Sequence, residues 1–291
     1  MEQVKYNLET VTTSFCQDAR QNRAELRPAS FKGLLRYWYR AGIAETRLSE
    51  LHKKENQLLG STEESASFAI RINDINQINN NRQYQTRECP VPHWKERKDK
   101  NAFPFVGLET GVPFGLELSF RNKISKQKMK QIKAAFEISL LLGGIGQRSR
   151  RGFGSIQAED WEFNTKRDFL EAVVNKLSIL QDRNYQIEDS CLTVKENRDY
   201  NYPVIKDVFI AKQGSKEGLL KKIGRATHQY SNWDLTGGGS RMASPAYVTI
   251  KEIGGNFYPI ITKLEVAEDN KVNTKALTDF IDELRCKDGE D

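Results

Sequence analysis

A chain of 291 residues is long enough to bury a sizeable core and suits two domains of ordinary size. It is 38% hydrophobic and 29% charged, with 45 Lys and Arg against 39 Asp and Glu for a formal net charge of +6. That balance points toward polyanionic partners, with a soluble basic protein lacking such a partner as the plainer alternative. Cys16, Cys89, Cys191 and Cys286 lie far apart, with no CxxC and no histidine at ligand spacing. They support neither a zinc site nor a disulfide framework, and a reducing cytoplasm fits best. No apolar stretch approaches the length of a membrane span and the first 13 residues lack an apolar signal segment, so the sequence predicts a soluble cytoplasmic protein.

Residues 4–15 begin with Val4, Tyr6 and Leu8 alternating with polar side chains and predict a strand. Ser30 predicts an N-cap, and Phe31, Leu34, Leu35, Trp38, Ala41 and Gly42 share one face at helical spacing, which predicts a single helix running to about residue 54. Leu58-Leu59-Gly60-Ser61 ends it, and residues 67–75 predict a second strand. The polar segment 76–106, with Asn79-Asn80-Asn81 and two prolines, reads as an insertion loop. A strand at 114–120, a helix at 126–142 stopped by Gly143-Gly144, and a strand at 152–163 complete the first half.

The order β-α-β-β-α-β is ferredoxin-like, with both helices on one face of an antiparallel sheet and the other face left for a ligand. After a helical connector at 166–180, the order resumes with a strand at 204–211, a helix at 216–230, strands at 246–253 and 257–266, and a helix at 274–284. This is the same unit without its last strand. The fold class expected is therefore α+β, two ferredoxin-like (RRM-like) domains in tandem with the second degenerate. The first spans 1–163, with a glycine-rich loop at 143–154 and the insertion at 76–106, and the second spans 164–291.

Two segments carry the chemistry. In the first helix Lys32, Arg36, Arg40 and Arg47 form one basic stripe, Ser30 and the free amides of the first turn suit an anion, and Gly33 removes a side chain where a sugar-phosphate backbone would press closest. A solvated basic face on a core helix is the alternative. In the second segment, Gly143 and Gly144 to Gly152 and Gly154, the glycines, among them Gly146, offer amides to phosphate oxygens, and Arg148, Arg150 and Arg151 add charge. The loop follows a helix and lacks the Lys-Ser/Thr of a P-loop, so nucleotide hydrolysis is not supported. A glycine-rich turn with solubilising arginines is its plain alternative.

Arg121, Lys123, Lys126, Lys128, Lys130 and Lys133 form a basic run that suits RNA, an acidic neighbouring subunit or water equally. Gly237-Gly238-Gly239-Ser240-Arg241 reads as a flexible connection, with Arg241 a further candidate contact for RNA. His52, His93 and His228 fall in no nucleophile or metal motif, so no catalytic centre, metal site or cofactor site is visible.

With these residues the chain resembles the RAMP superfamily of CRISPR-associated RNA-binding proteins, whose glycine-rich loop after the second helix of a ferredoxin-like domain is similar to 143–154. More narrowly, the segment 25–41 (ELRPASFKGLLRYWYRA), Leu59-Gly60-Ser61 and Arg241-Met242-Ala243-Ser244-Pro245 resemble the first-named RAMP subunit of the Cmr effector complex of type III-B CRISPR systems. The resemblance implies two ferredoxin-like domains and a noncatalytic role in antiviral defence. It also implies a place near the 3′ region of the guide RNA, where the subunit helps other Cmr-type subunits capture single-stranded target RNA. By match to the motifs, Ser30, Lys32, Gly33, Arg36, Gly146, Arg148, Arg150 and Arg151 would contact RNA, and Arg40, Gly144 and Arg241 extend that set. The enzymatic alternative is a metal-independent RAMP endoribonuclease that processes CRISPR transcripts, with His52 as general acid or base.

Overall fold

The computed structural model describes residues 2–73, 75–86, 106–122, 124–196, 198, 200–230, 243–265 and 272–286. The first half runs β1 (Gln3–Thr10), α1 (Pro28–Ile43), α2 (Leu48–Leu59), β2 (Phe68–Ile72), α3 (Ile75–Asn80), β3 (Gln85–Thr86), β4 (Gly107–Leu108), β5 (Pro113–Phe120), α4 (Lys126–Leu142) and β6 (Ile156–Ala158). The second runs α5 (Lys166–Leu180), β7 (Tyr185–Glu188), β8 (Cys191–Val194), β9 (Val204–Ile210), α6 (Lys216–Tyr230), β10 (Ala246–Ile253), β11 (Asn256–Glu265) and α7 (Thr274–Cys286).

The first sheet is antiparallel in the order β2-β5-β1-β6. Alternation sets its faces: Tyr6, Leu8 and Thr10 of β1 point into the core, while Lys5 and Asn7 point to solvent. Pairing Tyr6 with Leu116 and Leu8 with Phe114 continues the apolar face across β5. The solvent face, with Lys5, Asn7, Ala69 and Arg71 exposed, carries no aromatic ring among the described residues. The face expected to receive a ligand therefore lacks the rings on which an RRM-like sheet stacks bases.

The second sheet is ordered β10-β11-β9-β8-β7. Its first three strands repeat the order β2-β5-β1, and β8 pairs antiparallel with β9 where β6 pairs with β1. Helices α6 and α7 cover one face of this sheet through Leu219, Ile223, Leu277, Phe280 and Ile281. Its other face packs on α1 and α4, so one continuous core runs from Tyr6 and Leu8 through Trp38 and Phe136 to Ile205, Tyr247 and Leu264. The helices of the first half are thus shared between both sheets.

Several expectations need correction. The long first helix is two helices, because Ala44 turns left-handed with φ 48° and ψ 41° and α2 starts afresh behind Arg47. Arg47 therefore leaves the basic stripe and pairs with Glu45 at 3.9 Å. Ser30 is not the N-cap: Arg27 holds that position and Pro28 opens the helix, where its missing N–H costs no hydrogen bond. The start of the 76–106 insertion is built rather than looped, with α3, a 3₁₀ turn at Arg82–Tyr84, and β3 paired to β4; residues 87–105 lie outside the described set. The strand expected at 152–163 shortens to β6, and the β7–β8 hairpin was not anticipated.

Candidate nucleic-acid interface

At about 100° per residue, α1 buries Phe31, Leu35, Trp38 and Gly42 and turns Gly33 outward, with Arg36 and Arg40 on one flank and Ser30 and Tyr37 on the other. A β-carbon added at Gly33 would meet nothing within 4 Å. No internal packing asks for glycine there, and a mid-helix glycine weakens a helix, so the open surface over Gly33 is a place where another molecule's backbone can lie close.

The arginines beside it are not equally available. Arg36 donates from Nη1 to Glu55 Oε1 at 2.5 Å and from Nη2 to the carbonyls of Leu59, at 3.2 Å, and Gly60. It therefore closes the C-terminal end of α2 and joins the 25–41 segment to Leu59-Gly60. Arg40 stands 3.6 Å from the other Glu55 oxygen, with 43% of its side chain exposed. Lys32 lies at the helix start, where burial and the neighbouring Arg36 both push its pKa below the ordinary value. An incoming anion relieves that crowding.

The glycine-rich loop folds back on the protein's own chain. Gly146, at φ 82°, leaves no room for a β-carbon, which would sit 2.7 Å from the Phe15 carbonyl carbon, and one on Gly144 would sit 2.8 Å from Gly154 O. Gly154, at φ 64°, would overlap the Ile145 carbonyl oxygen. The loop is pinned by Gln147 N to Phe15 O at 3.1 Å and by Gly154 N to Thr13 O at 2.8 Å. The expected nest of phosphate-facing amides is thus largely occupied from within, and Gly144 is buried. Gly146 and Gln147 at the tip are exposed, and Arg148 takes a left-handed φ of 59°.

Arg150 joins the two segments. Its guanidinium carbon sits 5.0 Å from the Tyr37 ring centre and 5.3 Å from that of Tyr247, and its Nη1 donates to Ser244 O at 3.0 Å. Burial raises the Tyr37 phenol above its ordinary pKa, and the positive charges of Arg150 and Arg40 oppose that rise. Arg151 points inward: it donates to Ala246 O at 3.3 Å and faces Phe280 at 5.6 Å, and burial, then Arg150, lowers its pKa to about 10. It stays cationic at neutral pH but serves the fold.

Strand β10 holds this junction in register. Tyr247, Thr249 and Lys251 alternate onto the face that meets the end of α4. Gly144 N donates to Tyr247 Oη at 3.1 Å, Thr249 Oγ1 donates to Gly143 O at 3.1 Å, and Lys251 Nζ donates to the carbonyls of Leu140 and Ile156. Thr249 and Lys251 thereby satisfy the Gly143 and Leu140 carbonyls, which the end of α4 leaves unpaired. Burial pushes Lys251 down to about 7.

The structure therefore places Ser30, Lys32, Gly33 and Arg40 on α1 and sets Arg150 over Tyr37 of that helix, with Arg148 half-buried near the loop tip. It assigns Arg36, Arg151, Gly144 and the Gly146 backbone mainly to internal contacts. Arg241 lies outside the described residues, although Ala243, Ser244 and Pro245 are described and Ser244 receives Arg150. Sequence reasoning passed over Tyr37, Tyr247 and Lys251. A polar residue at every second position of an otherwise apolar strand was the available signal for the last two. His52 is exposed on α2, an element separate from the glycine-rich loop. On another side, a cleft of about 460 Å³ carries Glu9, Glu159, Glu162 and Glu252 and repels a polyanion. Among the described residues no cluster of His, Cys, Asp and Glu could hold a metal ion, and no helix is long and apolar enough to cross a membrane.

The chain is 24% identical to the CRISPR system Cmr subunit Cmr1-1 of Pyrococcus furiosus over 95% of this chain and 93% of that protein. It is 25% identical to Cmr1-2 of the same organism over 55% of this chain and 96% of that one. The crystal structure of apo Cmr1 from Pyrococcus furiosus superposes with a TM-score of 0.63 at 22% identity, covering 92% of this chain and 89% of that one. A chain in the cryo-EM structure of the type III-B Cmr-β complex bound to cognate target RNA superposes with a TM-score of 0.59 at 12% identity, covering 96% and 98%. The RAMP superfamily model matches residues 7–157, a stretch that contains α1, the glycine-rich loop and most of the first sheet, and the chain belongs to that superfamily.

Proposed function

We propose that this chain is a noncatalytic RNA-binding subunit of a type III-B CRISPR ribonucleoprotein complex in the cytoplasm. It contacts guide RNA near its 3′ region, single-stranded target RNA, or both, beside other Cmr-type subunits. The carrying observation is the junction of α1 with the glycine-rich loop, where Arg150 lies over Tyr37 while Gly33 leaves the outward surface of the helix open. Similarity to Cmr1 subunits over nearly the whole chain supports the assignment to such a complex. We read residues 1–163 and 164–291 as two ferredoxin-like units, the second with β8 in place of a fourth strand.

A sugar-phosphate backbone crossing Gly33 meets Lys32 and Arg40 on one side and Arg150 on the other. Arg150 is already held by Ser244 and two rings, so little side-chain entropy is lost when it meets a phosphate. Contacts of this kind position a strand without reading its sequence.

Single-stranded RNA binding by the full chain, followed by fluorescence anisotropy across a salt series, tests the reading. Neutralising four or five phosphates gives a slope of log affinity against log salt near about −3. Arg150→Gln is expected to make the slope shallower, and an affinity independent of salt would contradict the proposal. Incubation with repeat RNA without metal is expected to leave it intact; cleavage abolished by His52→Ala would favour the endoribonuclease alternative.

A further inference from the structure

A second cleft, of about 770 Å³, opens near the start of α1 and is lined by Asn22, Arg23, Asn79, Asn80, Arg82 and Gln85. Every lining side chain is a carboxamide or a guanidinium. Asn79 fixes its wall to α1 by accepting from Leu26 N at 2.9 Å and donating to Leu26 O at 3.3 Å, one residue before the Arg27 cap. Gln85 Nε2 donates to Asn79 O at 2.6 Å, which buttresses the wall from behind.

The chain beside the cleft is tied to both segments of the proposed interface. Arg27 Nη2 donates to Gln17 O at 3.4 Å, and Gln17 Oε1 accepts from Gln147 Nε2 of the glycine-rich loop at 3.1 Å. Within the cleft, Arg23 donates to Asn80 Oδ1 at 3.4 Å and is balanced by Asp18 at 3.5 Å. Arg82 is exposed and no hydrogen bond or ion pair engages its guanidinium among the described residues.

A small-molecule site usually occupies about 300–1,000 Å³, and this cleft falls in that range. Its chemistry is narrower than its size. Carboxamides present a donor and an acceptor side by side and match a purine edge, while a guanidinium matches guanine O6 and N7 or a phosphate. Single-stranded RNA offers such groups because its bases can be splayed from the stack. We infer that this cleft holds one splayed nucleotide of the RNA strand, with the carboxamides and Arg82 on the base edge. The inference rests on the RNA-binding reading above and adds to it a point of base discrimination in an otherwise phosphate-directed interface. It also gives the Asn79-Asn80-Asn81 run a use: Asn79 pins the wall, Asn80 lines the cleft, and Asn81 caps the 3₁₀ turn that carries Arg82.

The test compares the full chain with Asn22→Ala/Arg82→Ala, two exposed positions whose replacement is expected to leave the melting temperature unchanged. Both proteins are titrated with single-stranded RNA of mixed sequence, with each homopolymer, and with the mixed strand carrying abasic sites. The wild type is expected to bind the intact strand roughly tenfold more tightly than the abasic strand and to rank the homopolymers, while the double variant loses that ratio and keeps the salt slope. Equal affinity of the wild type for intact and abasic strands, or a ratio unchanged in the double variant, overturns the cleft and leaves the phosphate-binding reading standing. Failure of the wild type to bind any strand overturns both.

Discussion

Gly33 and Gly154 are both glycines in arginine-rich segments, and they do opposite things. A side chain at Gly154 would overlap the Ile145 carbonyl, while one at Gly33 would meet empty space. Gly154 is consumed in folding the loop; Gly33 weakens its helix and repays nothing inside the protein. The arginines divide in the same way. Arg36 is committed to Glu55 and two carbonyls, whereas Arg150 is stacked over Tyr37 and Tyr247 where the two segments meet. A glycine-arginine signature therefore mixes residues that shape a scaffold with residues that meet a ligand, and the distinction lies in what fills the space around each.

The sharpest break between the two classes is expected at Gly154→Ala. A left-handed φ of 64° and overlap with a carbonyl leave no relaxed conformation, so a loss of about 3 kcal/mol or more, or failure to fold, is expected in chemical denaturation. Arg36→Ala comes next, at about 2–3 kcal/mol, because the buried Glu55 carboxylate loses its nearest partner. Once folded, that variant is expected to show a salt slope for RNA close to wild type. A large change in slope with stability intact would move Arg36 to the ligand-facing class.

Lys251→Met is expected to cost about 1–3 kcal/mol at pH 9 by leaving the Leu140 and Ile156 carbonyls unpaired. The pH dependence has a definite sign. With the folded pKa near 7 and the ordinary value at 10.5, only the unfolded chain binds the proton between those limits, so this lysine's contribution to stability grows as pH rises through that window. Below pH 7 the buried charge weighs against the fold, and the penalty of Lys251→Met shrinks. The neutral amine keeps two N–H donors, one for each carbonyl. A penalty that does not change between pH 6 and 9, followed by thermal melts, would mean that the lysine stays charged throughout. Smallest of all, Gly33→Ala is expected to stabilise the fold by about 0.5–1 kcal/mol, with differential scanning calorimetry as the check.

Much of the architecture was legible because it is written in periodicity. Helix α4 spans the residues its apolar spacing predicted, with Ser125 accepting from Lys128 N as its cap, and the strands of the second half fall within a residue or two of their expected bounds. The β7–β8 hairpin escaped because its four-residue strands are mostly half-buried and show no clean alternation. The break at Ala44 escaped because alanine carries no turn signal, and only tertiary packing holds it at positive φ. At the candidate site, the letters marked both segments but could not sort them. Pairing of Arg36 with Glu55 spans two helices, and the stacking of Arg150 needs Tyr247 from the other half of the chain.

The central claim, that the outward face of α1 and the rim of the glycine-rich loop form one groove for an RNA strand, is tested most directly by Gly33→Leu. Leucine is a strong helix former and the space above Gly33 is open, so the variant should fold at least as stably as wild type. Its affinity for single-stranded RNA, read by anisotropy at fixed salt, is expected to fall about tenfold or more, since the side chain fills the path of the backbone. A folded Gly33→Leu protein that binds RNA as tightly as wild type would contradict the account.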